Sequence, residues 1–112
     1  MIRLPENQQI GIDIVKIERF RKKKIFENQS FYEKIFTKSE ISYCKRFIDP
    51  YPHFAGKFAL KEAVQKSINE NLVFNKIETF HSNSRPKIKL ENSKEKYEFT
   101  TSISHENEYA IA

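Results

Sequence analysis

Gly56-Lys57-Phe58-Ala59-Leu60-Lys61-Glu62-Ala63-Val64-Gln65-Lys66 decides the fold, because it reads as one helix with charge in an unexpected place. At about 100° per residue around an α-helix, Phe54, Ala55, Phe58 and Ala59 share an apolar arc, and Glu62 falls on the same arc. Lys66 follows one turn later, while Lys61 and Gln65 point to other sides. Leu60, Val64 and Ile68 form a second apolar side. Two readings of the acid and the base stand open. As an i,i+4 pair in the favourable order they stabilise a solvated helix by about 0.2–0.5 kcal/mol. Turned toward a cleft, they meet a ligand.

Working outward, Asp49-Pro50-Tyr51-Pro52 separates this helix from the one before it, since proline disfavours helix in the preceding residue. The helix is predicted from about His53 to Ile68, with a turn at 69–71. Thr37-Lys38-Ser39-Glu40 has the form of a capping box and predicts a helix through about Ile48. Toward the N-terminus, 9–15 alternates as a strand, with Ile10, Ile12 and Ile14 on one face and Asp13 on the other. A helix is predicted from Lys16 to about Glu27, carrying the basic run Arg19, Arg21, Lys22, Lys23 and Lys24. Beyond the central helix the pattern turns extended: 72–80, then a loop at 81–86, a short strand at 87–91, and a half-buried strand at 97–103. A turn at 104–107 leads into a final strand from Tyr109. Helices followed by a mostly antiparallel sheet make an α+β domain.

The 112 residues suit a single domain, 1–112. A hydrophobic share of 38% with ten Phe and five Tyr supports a packed core and excludes a disordered chain. Only two glycines are present, so tight turns must rely on Asn, Ser and Asp. A net charge of +5 favours an acidic partner: nucleic acid, anionic lipid, a phosphorylated ligand or an acidic protein. No apolar run approaches a membrane span, and the first residues lack the apolar centre of a signal peptide. Cys44 is the only cysteine, which excludes an internal disulfide and a thiolate zinc cluster and fits a reducing cytoplasm.

Three polar features lie where packing does not ask for them: Asp13 at the end of an apolar strand, Glu62 with Lys66, and His105 in a turn. Singly, Asp13 reads as a helix cap and His105 as a solvated turn residue. Together, two carboxylates remote in sequence and flanked by Lys57, Lys61 and Lys66 suit Mg²⁺ holding a phosphorylated ligand. Mg²⁺ takes one or two protein carboxylates and fills its other positions with phosphate oxygens and water. No Walker-type glycine loop is present.

The motifs GIDIVKIERF at 11–20, FYEKIFTKSE at 31–40, FAGKFALKEAVQK at 54–66 and SISHENEYAIA at 102–112 resemble, in order and spacing, the holo-[acyl-carrier-protein] synthases. These are the small bacterial-type group of the 4′-phosphopantetheinyl transferase superfamily. The resemblance covers nearly the whole chain. It implies the fold of that superfamily and transfer of 4′-phosphopantetheine from coenzyme A to a serine of apo acyl carrier protein, a step of fatty acid biosynthesis. Adenosine 3′,5′-bisphosphate is the by-product. It further implies that Asp13 and Glu62 bind Mg²⁺, that Lys66 assists the leaving group, and that His105 holds the nucleotide end. Lys57, standing where the family usually has Arg, would meet the 3′-phosphate, and Lys61 and Pro86 would also line the coenzyme. The serine proton would pass to Glu62 or to a water beside the metal. Arg19 and the run Arg21 to Lys24 would orient the acidic carrier. The family is commonly homotrimeric, with active sites between subunits.

The chain departs from the family pattern in four places. Ser67 to Asn71 replaces a glycine-rich turn, Ser84-Arg85-Pro86 replaces Gly-x-Pro, Lys57 lacks the bidentate fork of Arg, and the sequence ends at Ala112 where relatives continue. A second reading is therefore a relative that binds coenzyme A or carrier without turnover. A nucleic-acid-binding domain is a third, motivated by charge alone and without a recognisable motif.

Overall fold

The computed structural model describes residues 7–112. Its organising element is helix α4, Tyr51–Ser67, which is buried on nearly every side. It starts two residues before the expected position. Pro50 is its N-cap and Pro52 lies in the first turn, where a missing N–H leaves no hydrogen bond unmade. One apolar side, Phe54 and Phe58, packs into an aromatic cluster with Phe20, Tyr32 and Phe36, with Tyr32 and Phe54 centroids 4.7 Å apart. The other, Leu60 and Val64, packs with Ile68 and Ile77. Both apolar sides seen in the helical spacing are buried, and Lys57 and Lys61 are taken inside as well.

Lys61, which the helical count sets off the Phe54–Phe58 arc, is fully buried. Its ammonium donates to Glu40 Oε1 at 2.7 Å, to the Phe74 carbonyl at 2.8 Å and to the Ile77 carbonyl at 2.7 Å. All three of its protons are used. Glu40, 1% exposed, belongs to α3, Lys38–Cys44. Its Oε1 also accepts from the Thr37 amide at 2.8 Å, completing the capping box, and its Oε2 accepts from the Thr79 amide at 2.7 Å and from the Thr79 hydroxyl. Burial lowers the Lys61 pKa, and Glu40 opposes that shift. One ion pair thus ties α3, α4 and the strand carrying Thr79 together, and Lys61 is unavailable to a coenzyme.

The expected strand at 9–15 is shorter, β1, Ile14–Lys16. Its length is set by its partner β5, Tyr109–Ile111, in antiparallel register Val15 to Ala110. Reciprocal backbone bonds between Asp13 and Ala112 extend the pairing by one residue. β4, Ser104–His105, pairs with the other edge of β5, giving the order β1-β5-β4. The helix predicted from 16 to 27 is one turn, α1, Glu18–Arg21, followed by a 3-10 turn at Ile25–Glu27. The Tyr32 hydroxyl donates to the carbonyls of Phe20 and Lys23, which a continuing helix would need, and Ile25 then turns into the core. Tyr32 itself lies on α2, Gln29–Ile35, an element not anticipated from the pattern.

β2, Ile77–Ser82, and β3, Arg85–Leu90, form a hairpin whose ladder takes in most of the expected loop at 81–86. Only Asn83 and Ser84 remain as the turn, with φ of 53° and 63°. Those left-handed values match the two-residue hairpin turn that usually calls for Asn-Gly. The stretch 97–103 keeps its alternating burial, yet it forms no ladder among the described residues. Tyr97, Phe99 and Ile103 seat on the second core cluster, and the Thr101 hydroxyl donates to the Pro86 carbonyl. Glu70 anchors the approach to this stretch. It accepts from the Lys94 amide, the Ser93 hydroxyl and the Tyr97 hydroxyl, which together hold its carboxyl down to about 2.

Two substitutions test this framework. A Cβ on Gly11 would lie 1.9 Å from the Ala63 carbonyl oxygen, so Gly11→Ala must push the N-terminal segment off α4. The expected loss is about 1–3 kcal/mol in urea unfolding; an unchanged midpoint would show that this approach is not built into the native state. Lys61→Met strands the buried Glu40 carboxylate and should cost about 3–5 kcal/mol. Pairing it with Glu40→Gln should recover part of the loss, and equal melts for single and double variants would refute the coupling.

Candidate functional site

The close approach of Gly11 to Ala63 delivers the next residues of the N-terminal segment to the last turns of α4. There Lys66 Nζ donates to Asp13 Oδ1 at 3.1 Å and to the Ile12 carbonyl at 3.0 Å. The sequence alternatives are thereby resolved in an unexpected direction: Lys66 pairs with Asp13, not with Glu62. The Asp13 side chain is 17% exposed and that of Lys66 is 53% exposed. A pair this open contributes about 0.2–1 kcal/mol, so it can be exchanged for a better partner. Glu62, one turn before Lys66, is half-buried, and its carboxylate makes no hydrogen bond or ion pair among the described residues. Asp13 Oδ2 is likewise unengaged among them.

This donor set fits a hard divalent cation. Two carboxylates with free oxygens sit beside the same helical turn, and an unpaired, half-buried carboxylate is a group that a cation stabilises. No group of three His, Cys, Asp or Glu side chains gathers among the described residues, so any such cation must draw its remaining ligands from substrate and water. Mg²⁺ bound in that way is characteristic of phosphate substrates.

His105 lies elsewhere. Its ring meets His53 edge-on with centroids 5.4 Å apart, near the start of α4. At about 1.5 Å per residue, His53 stands about 14 Å along the helix from Glu62. The structure therefore pairs Asp13 with Lys66, one turn after Glu62, and places His105 at the opposite end of the same helix. Lys57 belongs to that second region. It is 2% exposed, its ammonium donates to the Thr79 carbonyl and hydroxyl at 3.0 Å each, and it lies 4.8 Å from the centre of the Tyr43 ring. Pro86 is there too, paired across the hairpin with His81, whose ring stacks on Tyr43 at 5.1 Å. Sequence spacing did not single out His53 or His81. The one available signal for buried lysines was that Lys57 and Lys61, one turn apart, would repel on a solvated helix.

The basic residues near α1 divide into two kinds. Arg21 is bound to Asp49 through two hydrogen bonds of 3.0 and 2.7 Å, so its fork is already occupied. Arg19, Lys22, Lys23 and Lys24 are exposed. Arg19 lies over the Phe58 ring at 5.1 Å, and Lys23 and Lys24 lie over Phe31 and Tyr51. The run is thus spread over α1 and the loop after it rather than along one helix. Cys44 takes no part: burial pushes its thiol up to about 12.

Comparison with known proteins gives a consistent picture. The profile of the 4′-phosphopantetheinyl transferase superfamily matches residues 9–112. The holo-[acyl-carrier-protein] synthase of Thermodesulfovibrio yellowstonii is 41% identical over 108 residues, covering 92% of this chain and 92% of that protein. The synthase of the same description from Chlamydia felis is 42% identical over 111 residues, covering 92% and 91%. Among solved structures, the Helicobacter pylori holo-[acyl-carrier-protein] synthase in complex with coenzyme A superposes with a TM-score of 0.74. It is 40% identical, over 91% of this chain and 94% of that one. The Bacillus anthracis enzyme in complex with CoA (3′,5′-ADP) superposes with a TM-score of 0.71 at 28% identity, over 92% and 90%.

Proposed function

Because the chain belongs to the 4′-phosphopantetheinyl transferase superfamily, we propose that it is a holo-[acyl-carrier-protein] synthase. Residues 1–112 act as one transferase domain that moves 4′-phosphopantetheine from coenzyme A to a serine of apo acyl carrier protein. The observation that carries the reading is the Asp13–Lys66 pair on α4 one turn after Glu62, whose carboxylate is unpaired among the described residues. A binding-only relative has no use for a half-buried carboxylate kept free beside an exchangeable Asp–Lys pair.

In the mechanism, Asp13 and Glu62 would hold Mg²⁺, which when bound supplies positive charge to the pyrophosphate oxygens. The carrier serine oxygen attacks the β-phosphorus of coenzyme A, and the bond to the bridging oxygen of the pyrophosphate breaks. Adenosine 3′,5′-bisphosphate departs. Lys66, released from Asp13, reaches the departing phosphate and offsets its growing charge. The serine proton goes to Glu62 or to water. His105 and Lys57 serve the nucleotide end, and Pro86 helps shape that end from its place opposite His81 in the hairpin. Arg19 with Lys22 to Lys24 meets the acidic carrier, and the protein works in the cytoplasm beside carrier and coenzyme, in fatty acid biosynthesis. Arg21 contributes by holding Asp49 rather than by offering a free fork.

The two regions, at opposite ends of α4, fit an active site shared between subunits of a homotrimer. Ile10, Ile12 and Ile14 are 78%, 69% and 58% exposed, and Ile111 beside Ile14 is 42% exposed. Together they form an apolar strip of the kind that interfaces cover.

The first assay incubates the protein with coenzyme A and apo acyl carrier protein, with and without Mg²⁺, and reads the intact mass of the carrier. The expected result is a Mg²⁺-dependent gain of one phosphopantetheine, lowered at least about a hundredfold in rate by Glu62→Ala. Folded protein that binds coenzyme A but modifies no carrier would favour the binding-only relative. For the assembly, light scattering after size exclusion should give three times the chain mass, and Ile10→Lys should shift it toward monomer with loss of transfer. A monomer of full activity would disprove the shared site.

A further inference from the structure

The chain has three histidines, on three separate elements, and the Tyr43 ring joins them into one cluster. His53 comes from α4, His81 from β2 and His105 from β4. His53 stacks on Phe47 with centroids 3.6 Å apart and touches His105 edge-on at 5.4 Å, while His81 stacks on Tyr43 at 5.1 Å. Tyr43 also faces His53, at 6.4 Å. His81 and His105 are exposed and His53 is half-buried, so solvent reaches the cluster.

The charges around it are one-sided. Lys57, from α4, lies beneath Tyr43, and Arg46, from the turn after α3, lies over the same ring at 5.6 Å. The nearby carboxylates are committed elsewhere. Asp49 is clamped by Arg21, Glu78 of β2 accepts from Ser39 and Thr37, and Glu40 holds Lys61. Glu106, next to His105, accepts the Glu108 and Tyr109 amides of its own turn. Cys44 is buried. Two cations and three imidazoles therefore gather here, while Asp49, Glu78 and Glu40 are drawn to other partners and Glu106 beside His105 is bonded to the amides of its own turn.

We infer that His53 and His81, gathered beside His105, form a proton-accepting site for a terminal phosphate monoester, so that the nucleotide end of coenzyme A binds together with protons taken from solution. This rests on the coenzyme A reading above and adds to it two ligand-facing histidines and a dependence on pH. In the empty protein, burial and then His105 hold His53 below the ordinary imidazole value, with His81 and Lys57 adding to the effect and Asp49 opposing it. Burial and then Lys57 do the same to His81. Both rings are thus neutral near neutral pH. A phosphate monoester, whose second ionisation lies near about 6, arrives as a dianion and favours the charged imidazolium. Each proton taken up makes affinity fall by up to about tenfold per pH unit as the solution becomes more alkaline.

Calorimetric titrations near neutral pH, in two buffers of different ionisation enthalpy, count those protons. The ligands are adenosine 3′,5′-bisphosphate, coenzyme A and dephospho-coenzyme A, which lacks the 3′-phosphate. Net uptake is expected with the first two and not with the third. His53→Gln with His81→Gln should abolish most of it and flatten the pH dependence of coenzyme A affinity, with circular dichroism showing retained fold. Coenzyme A binding without proton uptake, or uptake that survives in the double variant, would overturn the inference and leave the transferase reading standing. A folded protein that binds none of the three ligands would overturn both.

Discussion

A fully buried ion pair, Glu40 with Lys61, is the constraint on which the remaining structure depends. Neither group could enter the interior alone, because an unpaired charge there costs several kcal/mol. Each is tolerated because every hydrogen-bonding position is used: three acceptors around the ammonium, and four donor contacts around the carboxylate. The partners belong to α3, α4, the 3-10 turn at Phe74–Lys76 and β2, so their positions are mutually determined. Apolar contact alone would fill the same space with less directional preference. Here the hydrogen bonds set the angle at which the hairpin meets the central helix.

That rigidity matters because α4 carries functional groups at both ends. Its last turns bring Glu62 and Lys66 alongside Asp13, and its first turns bring His53 beneath His105. Buried on nearly all sides, the helix acts as a fixed ruler between the two regions. Gly11 is part of the same arrangement, since only the lack of a side chain lets the N-terminal segment reach the Ala63 carbonyl and position Asp13. The hairpin contributes from the other direction: its turn at Asn83 and Ser84 sets the register that places His81 opposite Pro86.

Electrostatic groups at the two ends are treated differently. The Asp13–Lys66 pair is open to solvent and therefore weak, which suits a site that must exchange its internal partners for a cation and phosphates. At the other end Lys57 is buried and immobilised by Thr79, so its charge acts as a fixed background beneath aromatic and imidazole rings. A buried lysine holds its direction but cannot reach out. Contact with an anion then falls to the more exposed histidines above it.

Local chemistry by itself determined a good part of this protein. The capping box at Thr37 to Glu40, the isoleucine face at 10–14 and the reliance on Asn and Ser for left-handed turns all depend on neighbouring residues, and all are present in the structure. The helix that the box starts ends at Cys44, short of the expected Ile48, and the prolines at 50 and 52 open the central helix instead of stopping the one before it. The motifs that resemble the transferases likewise named Asp13, Glu62 and Lys66, which the fold brings to one turn of α4. What only the tertiary structure decided depends on partners far away in sequence. Helical spacing sets Lys61 off the Phe54–Phe58 arc, but Glu40, Phe74 and Ile77 take it inside all the same, because burial is set by what surrounds a helix and not by its own periodicity. The helix after Lys16 stops early because Tyr32 claims its carbonyls. The alternation at 97–103 was legible, but whether a strand pairs depends on which backbone lies alongside it. His53 and His81 are unremarkable singly, and they gain meaning only because folding stacks them in one cluster with His105 and the Tyr43 and Phe47 rings.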